Sequence, residues 1–123
     1  RKAILTYLSK QIRERENKFR IDKMVTPDKL ENINVLENPD LVSLKKKIKD
    51  AKETGKQVIV MLGGHVVKVG MSSLLIDLMR RGFITHIATN GSSAIHDFEI
   101  AMIGETSEYV AKTIEDGSFC MIE

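Results

Sequence analysis

The sequence predicts an α/β fold, and three observations carry that reading. A strand–turn–helix unit occurs twice in succession over residues 57–99. Each apolar strand run ends on small or polar residues: Gly63-Gly64-His65 in the first unit, Asn90-Gly91-Ser92-Ser93 in the second. The segment between them, MSSLLIDLMRRG over 71–82, has the apolar spacing of a compact amphipathic helix. A repeated unit of this kind is what a parallel sheet with a right-handed crossover requires. In such sheets ligands sit beyond the carboxyl ends of the strands, and both turns fall on that edge.

Taken in order, residues 2–19 are predicted as a helix, with Ile4, Leu5, Leu8 and Ile12 on one face and Phe19 and Ile21 extending the contact. Residues 22–38, with Pro27 and several Asn and Asp, read as an irregular connector. Asn38-Pro39 is a helix start, a capping side chain followed by proline at the first helical position. Leu41, Leu44, Ile48 and Ala51 then follow at helical spacing as far as Gly55. Strands are predicted at 57–62 and 84–89, and AIHDFEIAMIG supplies the helix after the second. Thr106-Ser107-Glu108 is read as the opening of a last helix, with Tyr109, Val110 and Ile114 as its apolar side and Gly117 as its stop. Residues 1–123 thus form a single α/β domain, with a helical region at 1–56 and a ligand-binding core at 57–123. Two strands make a thin sheet. That thinness, the initial Arg1 and the stop soon after Gly117 lead to the expectation of a partial domain cut from a longer protein.

Composition removes several classes. A net charge of +2 supplies no field that would draw the chain to nucleic acid or to a membrane surface. With no Trp and few other aromatics there is no base-stacking platform. The lysines at 45, 46, 47, 49 and 52 are diluted by Asp50 and Glu53 and read as a solvated face. No apolar run approaches the roughly 20 residues of a membrane span. A lone cysteine, Cys120, excludes an intrachain disulfide and suits a reducing compartment, so the expected location is cytoplasmic.

The glycine run Gly63-Gly64-His65 to Gly70 fits neither the GxGxxG nor the GxxxxGK[ST] spacing. It is either a tight turn or a place where a ligand approaches the backbone. Thr89, Asn90, Gly91, Ser92 and Ser93 bring hydroxyls, an amide and backbone N–H groups to a helix mouth. They can form an anion-binding nest, a helix cap, or both. His96 and Asp97 open the following helix; His96 suits proton transfer, and Asp97 opposes the helix dipole. As neighbours on a helix they do not face each other. His65 and His96 both follow strand ends, which leaves a metal-assisted hydrolase as a minor alternative, short of a third ligand. His86 alternates within a strand and reads as structural. Lys68 either meets a phosphate or is solvated. Cys120 has no activating neighbour, and Ser72 and Ser73 lack the GxSxG elbow.

Residues 58–99, VIVMLGGHVVKVGMSSLLIDLMRRGFITHIATNGSSAIHDFE, resemble the deoxyhypusine synthase family, including its uncharacterised deoxyhypusine-synthase-like relatives. The resemblance implies a three-layer Rossmann-like parallel sheet that binds NAD at its strand ends, within a homo-oligomer. It places Gly64 and His65 in the first cofactor-facing turn, which Gly63 begins as a strand-end candidate, and Thr89, Asn90 and Gly91 in the second. Ser92 and Ser93 take the positions of small residues there, and Asp97 an acidic position. Two departures stand out. Ile95 and His96 replace glutamates that help hold spermidine in many synthases, and the lysine that forms the imine has no counterpart after Glu99. Lys68 lies in a similar GGHVVK string but in the wrong structural unit. The expectation is therefore a protein that binds NAD or another nucleotide-like ligand through these turns, with His96 and Asp97 near the reacting group and without deoxyhypusine synthesis. A non-catalytic oligomeric assembly domain is the alternative.

Overall fold

The structure, a computed structural model, describes residues 11–30, 33 and 37–120. Its elements in chain order are β1 (Asn17–Arg20), α1 (Pro39–Glu53), β2 (Ile59–Leu62), α2 (Gly64–Lys68), α3 (Ser72–Arg80), β3 (His86–Thr89), α4 (Gly91–Ile103), β4 (Glu105–Glu108) and α5 (Val110–Thr113), with short 3-10 turns before α1. Most of the helix predicted over 2–19 lies outside the described residues.

The central unit forms as its pattern predicts. β2 and β3 are parallel, with Ile59 opposite His86 and Leu62 opposite Thr89. Thr85 starts the pairing: its Oγ1 accepts from Val58 N and donates to Val58 O, both at 2.9 Å. Helix α3 crosses between the two strands. Helix α1 starts where Asn38 accepts from Asp40 N at 2.8 Å, with Pro39 inside the first turn. Helix α4 starts where Asn90 accepts from Ser93 N at 3.4 Å.

Two expectations fail, for one reason. The end of the predicted first helix is strand β1, and the stretch predicted to open the last helix is strand β4. They pair antiparallel, Asn17 with Glu108, Phe19 with Thr106 and Arg20 with Glu105. A short segment satisfies its backbone groups equally well with a distant strand, and this pairing overrides local helical spacing. The helix that follows is only the single turn α5. The chain is thus mixed α/β, and among the described residues it holds two two-stranded sheets, β1–β4 and β2–β3.

Phe19 joins them. It is buried with Val67 and Ile100, with Met24 and Leu62 packed alongside. Its ring lies over Gly70, where a Cβ would come within 2.5 Å of Phe19 Cε2 and where φ is +82°. Glycine is required there on both counts. Val25 N donates to Gly70 O at 2.9 Å, and Ser73 Oγ donates to Val25 O, which ties the segment after β1 to the start of α3.

The opposite side is open. Ile59 and Met61, alternate residues of β2 and so on one face of the sheet, are 61% and 82% exposed. None of the helices in the described residues is long and apolar enough to cross a membrane.

Candidate functional site

Because β2 and β3 are parallel, their carboxyl ends share one edge, and α2 and α4 both begin there. A cleft of about 430 Å3 opens at that edge, lined by Met61, Leu62, Gly63, Ala88, Thr89 and Asn90. The structure therefore brings Gly63, Thr89 and Asn90 together. Asn90 also acts as the helix cap, and it accepts from Ser92 Oγ at 3.1 Å. Gly64 has a different task. A Cβ on it would lie 2.3 Å from Ser92 Oγ and 2.9 Å from His96 Cδ2, so the missing side chain lets α2 and α4 close on each other. His65 and Gly91 are exposed outside the cleft.

A second cavity, also about 430 Å3, adjoins the first through Leu62 and Thr89 and runs between α3, α4 and the sheet. Its walls are largely apolar, with Leu75, Ile76, Met79 and Ile87 among them. Four polar side chains also line it: Ser72, Thr89, Ser93 and Asp97. The hydroxyls of Ser72 and Ser93 are buried and have no hydrogen-bond partner among the described residues. Buried polar atoms in folded proteins are nearly always paired, with protein or with water, so these two hydroxyls are free to hydrogen-bond to whatever enters the cavity. Ser72, dismissed in sequence for lack of a nucleophile elbow, is a lining hydroxyl of a different kind.

His96 points the other way, as the 100° step between successive helical residues dictates. Its Nδ1 lies 2.8 Å from Thr106 Oγ1. Thr106 Oγ1 donates to Glu99 Oε2, and Glu99 Oε1 accepts from Arg15 Nη1 at 2.6 Å. The proton count is then set. A hydroxyl has one proton; it goes to a carboxylate that can only accept, so His96 Nδ1 must carry the hydrogen it shares with Thr106. In the neutral ring Nε2 is left as an acceptor.

The electrostatics agree. Burial pushes the His96 pKa below its usual value; the nearby Glu99 carboxylate opposes this, and the Lys68 and Arg15 charges reinforce it. The ring is neutral at neutral pH, so its 3.8 Å approach to Glu99 is not an ion pair. For Glu99, burial favours the protonated form, but hydrogen bonds from Arg15 and Thr106 and the positive charge of Arg15 prevail and hold the carboxyl below its usual range. The side chains of Arg15 and Glu99 are 6% and 14% exposed. Arg15 Nε and Nη2 are buried without partners among the described residues.

His96 and Asp97 therefore serve different surroundings, the α2–α4 seam and the α3–α4 cavity. No group of three or more His, Cys, Asp and Glu able to hold a metal ion occurs among the described residues. His86 is exposed, its Nδ1 3.2 Å from Thr85 Oγ1. The Cys120 thiol is pushed up by burial and by the Glu108 carboxylate, which disfavours the nucleophilic thiolate. Sequence reasoning missed Arg15, Glu99 and Thr106. Glu99 stands three residues beyond His96, a spacing that faces it on a helix and could have been read. Arg15 is 84 residues away from Glu99 and carries no local signal.

No family model matches the chain, and no solved structure matches it. Among curated proteins it is similar to the UDP-N-acetylglucosamine--N-acetylmuramyl-(pentapeptide) pyrophosphoryl-undecaprenol N-acetylglucosamine transferase of Lawsonia intracellularis, at 27% identity over 81 residues. That match covers 62% of this chain and 22% of the transferase, so the chain spans less than a quarter of that relative's length.

Proposed function

We propose that the strand-end edge binds NAD or another nucleotide-like ligand, in a Rossmann-like three-layer sheet of deoxyhypusine-synthase-like type of which this chain forms part. The observation that carries the reading is the pair of unpartnered hydroxyls, Ser72 and Ser93, in a cavity that opens onto the Gly63–Asn90 cleft. A ribose offers hydroxyls to Ser72, Ser93 and the Asp97 carboxylate, and the apolar walls suit the face of a base. The cleft beside Gly63 and Asn90 then receives the phosphates near the N-terminus of α4. Asp97 is the candidate that touches ligand; His96 lies at the α2–α4 seam and presents Nε2 as a proton acceptor. The Lawsonia transferase is named for a nucleotide-linked sugar, a ligand of the same chemical class.

Calorimetric titration of the chain with NAD, UDP-N-acetylglucosamine, adenosine phosphates and inorganic phosphate tests the reading. Ser93→Ala is expected to weaken binding about 3- to 10-fold, the worth of one hydrogen bond. It should leave the melting temperature unchanged or higher, since it removes an unpaired buried hydroxyl. Absence of binding by all four ligands, with the fold intact, rejects the site. With labelled spermidine and a lysine-bearing acceptor protein no transfer is expected, because Ile95 and His96 supply no carboxylate for an ammonium.

A second reading, a non-catalytic domain of a homo-oligomer, is favoured by the bare Ile59–Met61 face. A native mass spectrum separates the two: a retained nucleotide supports the first, a ligand-free oligomer the second.

A further inference from the structure

A third cavity lies at the opposite end of the strands from the proposed nucleotide edge. It occupies about 460 Å3 between α1, α3 and the beginnings of β2 and β3. Leu44 and Ile48 of α1, Val60 of β2, Leu75 of α3 and Ile84 before β3 form its apolar walls. Among the described residues, the charged members of the lining are all cations: Lys45, Lys49 and Arg81. Lys45 and Lys49, one turn apart on α1, make no ion pair among the described residues. Arg81 holds Asp77 at 3.2 Å in an exposed pair, which is weak and exchangeable. Lys52 is otherwise engaged, donating to Arg81 O at 2.7 Å and lying 4.2 Å over the Phe83 ring.

The volume falls within the range of small-molecule sites, roughly 300–1,000 Å3. An apolar space of this size forfeits dispersion contacts along every wall unless something fills it. Three cations, two of them without an ion pair among the described residues, on an otherwise apolar lining select what does: a body of hydrocarbon with one negative head. We propose that this cavity binds a medium-chain acyl carboxylate, the chain lying between α1 and the sheet and the carboxylate at Lys45, Lys49 and Arg81. The lysine run that composition alone assigns to a solvated face then includes two headgroup ligands. The proposal is independent of the nucleotide reading, since the two sites share only Leu75.

The test is calorimetric titration of the chain with octanoate, decanoate and dodecanoate below their micellar concentrations, beside decanol and decylamine as neutral and cationic counterparts. One-to-one binding of decanoate is expected, tightening about fourfold per added methylene until the cavity is full. The double variant Lys45→Gln/Lys49→Gln, both exposed and off the core, is expected to weaken decanoate about 3- to 10-fold and leave decanol unchanged. Leu75→Trp, which fills the space, should abolish both; if that variant does not fold, the lysine variant and the chain-length series still decide. Failure of decanoate to saturate overturns the proposal and means that α1 settles onto the sheet or a protein segment occupies the gap. Equal binding of decylamine, or equal weakening of decanol by the lysine variant, overturns it as well.

Discussion

The regions packed at the two ends of strand β2 are built differently. At one, α2 and α4 close on each other through Gly64, and Phe19, Val67 and Ile100 fill the space beneath, with a polar chain from His96 through Thr106 and Glu99 to Arg15 sealing the seam. Toward the beginnings of β2 and β3, on the sheet face that also carries Leu62, α1 packs loosely: Leu41 and Leu44 are 49% and 53% exposed, and they line an apolar cavity with Val58 and Val60. The tight side is held by residues far apart in sequence, the loose side by neighbours. Stability should concentrate where distant segments interlock, and ligand space where they do not.

The sharpest way to break this contrast is Phe19→Ala. Phe19 is 6% exposed and links the two sheets, so its truncation is expected to cost about 3–5 kcal/mol, read as a shift in the urea midpoint. A loss below about 1 kcal/mol would show that the tight side is no tighter than the other.

Glu99→Gln comes next. It leaves the Arg15 guanidinium without its carboxylate in a buried setting, and a loss of about 2–4 kcal/mol is expected. The companion Thr106→Val should cost less, because it removes a hydroxyl and leaves the Arg15–Glu99 contact in place.

Acid sharpens the comparison further. The folded pKa of His96 is depressed, so folding favours the neutral ring; that stability is present above the unfolded value near 6.5 and is lost as pH falls through the folded value. Glu99 is also depressed, and its contribution is present above an unfolded value of about 4.3 and lost on further acidification. Both act in the same direction. Urea midpoints measured from pH 8 to pH 3 should decline in two stages, and His96→Gln should remove the upper one. A flat profile between pH 7 and pH 5 in the unmodified chain would contradict the neutral, buried ring.

The smallest effect belongs to the loose side. Leu44→Ala removes a half-exposed side chain from a cavity wall already short of contacts, and a loss under about 1 kcal/mol is expected in the same urea assay.

The part of the fold legible in the sequence is the part made by near neighbours. Asn38 and Asn90 cap the helices they precede, and α3 joins two parallel strands, each two residues shorter at its start than the apolar run suggests. The placement of Gly63, Thr89 and Asn90 on one edge follows from that order alone. The pairing of β1 with β4 was not legible, because both segments carry helical spacing or capping residues, and only a partner roughly 90 residues away makes them strands.

By itself the sequence determined the parallel unit and the edge on which small residues gather, since these depend on periodicity and on signals within a turn or two. Tertiary structure alone decided what the side chains do there. It turned His96 toward Thr106 and Asp97 toward the α3–α4 cavity, brought Arg15 to Glu99, and left the hydroxyls of Ser72 and Ser93 facing one space without partners. The physical reason is that a backbone pattern is set by local sterics and hydrogen bonding, whereas the surroundings of a side chain are set by whichever distant segment packs against it.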